Sequence, residues 1–312
     1  MTGRRTPAIE VRVPAKVNLE LRVGPVRDDG FHALSTVYHA VDIVDDVTVR
    51  RADDWGIEVT GPYADRVPAD DTNLAYRAAR LLASDRGVDD PVHIEIAKTI
   101  PVAGGMAGGS ADAAATLVGC DALWGLDTPR PDLERLAARL GSDVPFLLTG
   151  GTALGSGRGE QVVPVLTQGT FHWVFALHHG GLSTKDVYAE LDRLRADEPV
   201  ADPEPGQDVM AALRAGDVEQ LASALHNDLE DAACSLEPHL RTTMATGLEQ
   251  GALAAIVSGS GPTVAFLARD NTAALDLMVG LSAEAVADEV VHGRGPVGGA
   301  HVTSDPGLRS TR

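Results

Sequence analysis

The chain has 312 residues, 44% of them hydrophobic, which is enough to bury a large core and most simply to fill two domains. Its formal net charge of -19 excludes a general affinity for nucleic acid or for an anionic membrane surface, since the long-range field repels both. No apolar run approaches membrane-spanning length, the start Met1-Thr2-Gly3-Arg4-Arg5 lacks the apolar segment of a secretory signal, and two cysteines, Cys120 and Cys234, make neither a disulfide framework nor a metal cluster, so a cytoplasmic protein is expected.

In chain order, residues 1–7 read as a loose tail. Ile9 to Val23 alternates apolar and polar positions with a break at Pro14-Ala15-Lys16, which predicts two short strands meeting at a turn or bulge. Strands are also predicted over 34–41, 45–50 and 56–60. Asp71-Thr72 opens a helix to about Arg86, with Leu74, Ala78, Leu81 and Leu82 on one face. Val92 to Ile96 alternates like a half-buried strand and enters a glycine-dense loop, followed by a helix that ends near Trp124-Gly125 and buries the Cys120 thiol. Pro131 to Leu140 is a short helix stopped by Gly141, and Asp143 falls in the connecting turn after it. A glycine-rich strand region covers 150–159, Phe171 to Leu177 is an apolar strand, and Ser183 to Ala196 is a helix. Residues 197–207 form an exposed, proline-rich acidic loop. Helices are predicted near 208–226 and 236–250, strands over 252–257 and 263–268 around the turn Ser258-Gly259-Ser260-Gly261-Pro262, and a last helix over 271–287. Residues after 304 read as disordered, and no internal repeat is present.

The loop carries the clearest chemical signal. Its residues Pro101-Val102-Ala103-Gly104-Gly105-Met106-Ala107-Gly108-Gly109-Ser110-Ala111 lead from a strand into an alanine-rich helix. The first N–H groups of a helix have no internal partner and lie at the positive end of the helix dipole, so a phosphate placed there gains hydrogen bonds and favourable electrostatics together. Gly104, Gly105, Gly108 and Gly109 remove the Cβ atoms that would hold a phosphate away, and Ser110 is placed to cap the helix through its hydroxyl. Gly104 and Gly109 have the Walker A glycine spacing, but Ser110 stands where that motif needs lysine, and no dinucleotide-type G-x-G-x-x-G is present. The lysines offer a second signal. Of 26 basic residues only Lys16, Lys98 and Lys185 are lysine, so this arginine-rich chain is expected to keep lysine where a guanidinium will not serve, with at least two of the three at an active site.

Three segments in order, Pro14-Ala15-Lys16-Val17-Asn18-Leu19, the glycine loop and Gly259-Ser260-Gly261-Pro262-Thr263, resemble the three signature motifs of the GHMP kinase superfamily, across nearly the whole chain. The resemblance implies an α+β fold of two domains: an N-terminal ATP-binding domain of ribosomal S5-like type over residues 1–165, and a C-terminal ferredoxin-like domain over 166–312. The active site would lie in the cleft between them. Asp28-Asp29-Gly30-Phe31-His32 and Gly141-Ser142-Asp143-Val144-Pro145 narrow the resemblance to the branch that transfers the γ-phosphoryl group of ATP to the 2-hydroxyl of 4-(cytidine 5'-diphospho)-2-C-methyl-D-erythritol, in the non-mevalonate isoprenoid route.

On that resemblance Asp143 accepts or orients the acceptor hydroxyl proton, and Lys16 holds Asp143 ionised while attracting phosphate charge. Asn18, two residues along the strand, shares a face with Lys16. His32 contacts the cytosine edge, and Phe31 and Tyr38 are the candidates for stacking on its face. Tyr188 is a second aromatic near the base, and Thr184 touches ligand. Lys98 reaches the adenine or phosphate region, with the loop residues around ATP. Mg²⁺ is expected as the companion of ATP; Ser110 is a candidate ligand, with no acidic partner evident and the metal ligands left open. Ala103 departs from the glycine that many relatives carry, and Phe31 from a frequent tyrosine. Both partners are small molecules, and the protein is expected to be a monomer or weak homodimer. Two alternatives are another GHMP kinase, acting on homoserine, mevalonate or a sugar, and a ligand-binding relative without turnover. The first has no use for a cytosine reader, and the second no need for Lys16 together with Asp143.

Overall fold

The computed structural model describes residues 8–102, 104–196 and 199–304. In order along the chain these form β1 (Ala8–Val26), β2 (His32–Arg51), β3 (Gly56–Thr60), α1 (Leu74–Arg86), β4 (Val92–Ala97), α2 (Gly108–Trp124), α3 (Arg130–Leu140), α4 (Val144–Thr149), β5 (Thr152–Ser156), β6 (Gln161–Pro164), β7 (Phe171–Leu177), α5 (Thr184–Leu194), α6 (Gln207–Ala215), α7 (Val218–Ala224), β8 (His226–Asn227), α8 (Glu230–Leu236), α9 (His239–Glu249), β9 (Ala254–Val257), β10 (Val264–Ala268), α10 (Asn271–Glu284), β11 (Glu289–Gly295) and β12 (His301–Ser304). The expected α+β class holds, with two separate sheets. One runs β12-β1-β2-β4-β3, with β5 also on β2, β6 on β5, and β8 on β1; the other runs β11-β7-β10-β9.

The two strands expected between Ile9 and Val23 are one strand. Pro14 sits at a register shift between β1 and β2, a place where a residue without an N–H costs the ladder little, and the strand bends there instead of ending. Across from it, Val44 pairs with Pro14 and Val41 with Ala15, so Asp42 and Ile43 are extra residues that join the predicted 34–41 and 45–50 into β2. Helix α2 lies across β1 and β2 with Ala111, Ala113, Ala114, Ala115 and Cys120 fully buried. Gly119 lets it approach, since a Cβ there would come within 2.9 Å of a Val49 methyl.

Several boundaries differ from the sequence expectation for identifiable reasons. Helix α1 is capped by Asn73, whose side chain accepts the Ala75 N–H at 2.8 Å, and not by Asp71-Thr72. Its buried face uses Ala75, Ala78, Ala79, Leu82 and Ala83, leaving Leu74 and Leu81 half-buried. The expected helix 208–226 is two helices, because Gly216 takes a left-handed φ of 67° and Asp217 caps the next one. The expected helix 236–250 is α9, which starts after Pro238, and α8 before it was not expected. Strands β11 and β12 and helix α4 were not evident in the sequence; β11 includes two glycines in seven residues, which blurs its alternation. Through β12 the last of the described residues return to pair with β1. The tail readings at 1–7 and after 304, and Asp197 and Glu198 of the acidic loop, lie outside the described residues.

Candidate active site

Lys16 is 4% exposed, and its ammonium donates to Asn18 Oδ1 at 2.6 Å. That acceptor is oriented by a relay: Asn18 Nδ2 donates to Thr36 Oγ1 at 2.7 Å, and the Thr36 hydroxyl donates to the Glu20 carbonyl at 2.7 Å. With its amide nitrogen so used, Asn18 has only its oxygen to offer Lys16, as the shared strand face predicts. Burial pushes the Lys16 amine down from its ordinary value, and the charge of Asp143 opposes that shift. Lys16 and Asp143, more than a hundred residues apart in sequence, therefore face one another, although no direct ion pair joins them.

Asp143 stands at the N-cap position of α4, yet makes no capping hydrogen bond, because its backbone is already helical at φ -81° and Pro145 supplies no N–H. The turn-forming role open to an aspartate there is thus not taken up, and the carboxylate faces a cavity of about 670 Å³ that Lys16, Asn18, Tyr38, His32 and Tyr188 also line. Tyr38 and Tyr188 are both held as neutral phenols, first by burial and then by the Asp143 charge.

The stacking assignment of Tyr38 needs correction. Tyr38 is 3% exposed, and its ring lies against Phe146 at a centroid distance of 4.8 Å, leaving no face for a base. Phe31, in contrast, is 54% exposed at the cavity edge, with the Arg158 guanidinium 5.0 Å from its ring centroid. His32 sits 5.0 Å from the Tyr188 ring, and one of its nitrogens is bonded to Asp192 at 2.9 Å. Phe31, His32 and Tyr188 thus line the same cavity as Lys16 and Asp143, with Tyr188 close enough to feel the Asp143 charge.

A second cavity of about 430 Å³ adjoins the first; Gly105 and Ala107 line both. Pro101, Val102, Gly104, Gly108, Gly109 and Lys98 also face it. Helix α2 begins with Ala107 in the left-handed conformation, φ 59°, and no side chain caps it, so the expected Ser110 cap is absent. The Ser110 hydroxyl instead lies towards Gly141. The first helical bond joins the Ala111 N–H to the Ala107 carbonyl at 2.9 Å; among the described residues, no acceptor meets the N–H groups of Gly108, Gly109 and Ser110. These donors are what the loop offers an anion. Met106 and Ala111, expected at the nucleotide, are fully buried, and Met106 contributes only a carbonyl that accepts the Lys16 N–H. Ala103 lies outside the described residues.

The glycines divide their work differently from the expectation. A Cβ on Gly104 would collide with the Gly261 carbonyl, and one on Gly105 with the Ser258 carbonyl, so these two glycines admit the 258–262 turn. Ser258 Oγ fastens that turn by donating to the Gly105 carbonyl at 3.0 Å. Asn227 holds its other side, donating to the carbonyls of Val257 and Gly259 at 2.8 Å each, a role the sequence did not signal.

Lys98 is not a free ligand-binding cation. It is 1% exposed, with its ammonium 2.6 Å from Asp45 and 2.8 Å from Asp112, beneath Gly108. Burial alone would lower its pKa, but the two carboxylates reverse that and raise it. Asp45 is saturated, since it also accepts the N–H groups of Thr99 and Ile100. Asp112, pushed up to about 8 by burial against the pull of Lys98, keeps Oδ1 without a partner. Of the three lysines, Lys16 and Lys185 line the larger of the two adjoining cavities and Lys98 the smaller. Thr184 Oγ1 lies 2.9 Å from Ser260 Oγ at the same wall. A separate 850 Å³ cavity on another face of α5 is lined by Asn227 but by none of the catalytic, substrate or nucleotide residues expected from the sequence.

This arrangement of two adjoining cavities, one fringed by unpartnered helix amides and the other by an amine and a carboxylate, belongs to an enzyme that moves a phosphoryl group between two small molecules. Residues 73–151 match the GHMP kinases N terminal domain and residues 209–285 match the GHMP kinases C terminal family. The chain belongs to the GHMP kinase family. It is 57% identical over 306 residues, 96% of this chain and 94% of the other, to the 4-diphosphocytidyl-2-C-methyl-D-erythritol kinase of Mycolicibacterium smegmatis. It is 55% identical over 305 residues, covering 96% and 95%, to the protein of that name from Mycobacterium tuberculosis. A crystal structure of 4-(cytidine 5'-diphospho)-2C-methyl-D-erythritol kinase superposes with a TM-score of 0.76 at 31% identity, over 93% of this chain and 100% of that one. Homoserine kinase from Cytophaga hutchinsonii shares the fold at 21% identity and a TM-score of 0.73, over 97% and 99%.

Proposed function

We propose that the chain transfers the γ-phosphoryl group of ATP to the 2-hydroxyl of 4-(cytidine 5'-diphospho)-2-C-methyl-D-erythritol. The observation that carries this reading is the meeting of the two cavities at Gly105 and Ala107, with Lys16 and Asp143 on the acceptor side of the junction. Phosphoryl transfer asks mainly for alignment and for neutralisation of charge on the transferred group, and each part has a candidate here. The N–H groups of Gly108, Gly109 and Ser110 bind the triphosphate. The acceptor oxygen attacks the γ-phosphorus as the bond to the ADP oxygen breaks, and the hydroxyl proton passes to Asp143. Lys16 stabilises the charge on the moving group, and Asn18 fixes the ammonium.

Mg²⁺ fits this site. The Asp112 carboxylate beside the nucleotide cavity has an unpartnered, buried oxygen, Oδ1, of the hard kind that the ion prefers. Magnesium would be held by Asp112 and phosphate oxygens and would neutralise charge on the latter. The cytosine enters between Phe31 and Tyr188, with the free nitrogen of His32 at its edge. On this reading residues 1–165 and 166–312 form the two domains that flank the cleft, and the protein acts in the cytoplasm as a monomer or weak homodimer. Among the described residues, no helix is long and apolar enough to cross a membrane.

The test is a coupled assay of ADP release with a panel of acceptors. The cytidine substrate is expected to be used with a kcat/KM at least about a hundredfold above that for mevalonate, homoserine or galactose. Equal or better use of any of these would overturn the assignment. Within the same assay Phe31→Ala should raise KM for the cytidine substrate about tenfold, the loss expected for one base–aromatic stack, with kcat held within about twofold. An unchanged KM would remove Phe31 from the base slot.

A further inference from the structure

Arginine is the common cation of this chain, and acidic residues outnumber basic ones 45 to 26, so an arginine without a carboxylate beside it is unusual. Among the described residues, only Arg66, Arg77, Arg80, Arg139 and Arg214 have none within 4.0 Å. Three of these line one cavity. It measures about 470 Å³ and lies between α1, which supplies Tyr76, Arg77, Arg80 and Leu81, and the end of α3, which supplies Arg139. Asp71 is the one acidic residue on its wall.

The same two helices balance their charges elsewhere. At the other end of their contact Arg86 meets Asp85 and Asp132, and Arg135 meets the same two carboxylates. The cavity end is left positive. Arg77 and Arg80 stand three residues apart on α1, neighbours on the helix surface where like charges repel. Arg139, in the last turn of α3, suits the negative end of that helix dipole, which accounts for one of the three cations and for neither on α1. Arg80 is also held in place. Its guanidinium lies 4.6 Å from the centroid of the Trp55 ring, and Trp55 meets Tyr76 edge-on at a centroid distance of 6.4 Å. A guanidinium stacked in this way keeps its N–H edge free for an anion.

We propose that this cavity is a second anion site, one that takes a phosphorylated small molecule carrying more than one negative charge. The inference goes beyond the activity proposed above and does not depend on it. The overall charge of -19 repels anions at long range, so an anion binds only where local cations outweigh that field, as three arginines against one aspartate do here. Guanidinium groups match phosphate oxygens two at a time, and Tyr76 and Leu81 give apolar surface to the organic part of an ester. The site is distinct from the nucleotide cavity, although α1 serves both: Asn73 and Leu74 at its start line that cavity, and the next two turns line this one.

Isothermal titration of fructose 1,6-bisphosphate, pyrophosphate and citrate into the full chain, with the active site saturated by a non-hydrolysable ATP analogue and CDP, tests this. Wild type is expected to bind one phosphate probe at least about tenfold more tightly than citrate. Arg77→Gln combined with Arg139→Gln should weaken that binding at least about tenfold, whereas Arg77→Lys combined with Arg139→Lys should keep most of it. Both pairs leave Arg80 on Trp55, and an unliganded thermal midpoint equal to that of wild type checks that the fold persists. Tighter binding of the sugar bisphosphate would assign the site to an organic ester, and tighter binding of pyrophosphate to an inorganic one. Wild type that takes up neither phosphate probe, or a glutamine variant that binds them as tightly, would overturn the proposal. Citrate bound as tightly as either would overturn the phosphate assignment.

Discussion

Asp143→Asn is expected to lower turnover by a factor on the order of 10² or more while leaving the affinities for both substrates within about tenfold, the pattern of a lost general base. The substitution is close to isosteric, the wild-type carboxylate makes no capping bond to α4, and an asparagine oxygen can still accept from the Tyr38 hydroxyl, so the local fold should survive it. An amide cannot take the proton from the acceptor hydroxyl. It also removes the negative charge that supports the Lys16 ammonium against burial, so the Lys16 pKa should fall further in the variant. Rapid-quench measurement of the phosphoryl-transfer step, with separate binding titrations, checks this. Near-normal turnover would reduce Asp143 to an element of the turn.

Lys16→Ala is expected to reduce kcat/KM by a factor on the order of 10² to 10³, comparable to removing one preorganised charge from a water-poor site. Several features make this cation hard to replace. It is buried, it is held by Asn18 Oδ1 at 2.6 Å, and Gly259 packs beside it, where an added Cβ would sit in contact with the ammonium at 3.4 Å. Lys16→Arg should therefore rescue little, because a planar guanidinium needs width that this wall does not provide. The pH profile gives an independent sign. Burial lowers the Lys16 pKa below the ordinary 10.5, so the charge is present below that shifted value and lost above it. An alkaline fall in kcat/KM below pH 10.5 is expected in wild type and should be absent in Lys16→Ala. A profile shared by both would assign the fall to another group.

Much of this site was legible in the sequence because its parts are local. Lys16 and Asn18 share a strand face by the period of two, and β3 and β7 were bounded by their patterns alone. The glycine loop announced a helix start, and Asp143 was placed in the correct turn. What could not be read were distances between remote segments. That Tyr38 spends its face on Phe146 depends on where α4 packs, and α4 is a six-residue helix with no periodic signal. Lys98 was expected at the adenine or phosphates, and only the fold places Asp45 and Asp112 around it. Gly104 and Gly105 appeared to make room for phosphate, whereas they make room for a turn some 150 residues further along. Lys185 lines the acceptor cavity because α5 starts there, which its place in the sequence does not show.

The central claim concerns which molecule occupies which cavity, and a crystal structure with the cytidine substrate and a non-hydrolysable ATP analogue tests it most directly. The triphosphate is expected on the amides of Gly108 to Ser110, and the cytosine between Phe31 and Tyr188. The 2-hydroxyl should lie within hydrogen-bonding reach of Asp143 and in line with the γ-phosphorus. Cytidine substrate seated in the 850 Å³ cavity on another face of α5, or a 2-hydroxyl turned away from Asp143 with both ligands bound, would contradict the account.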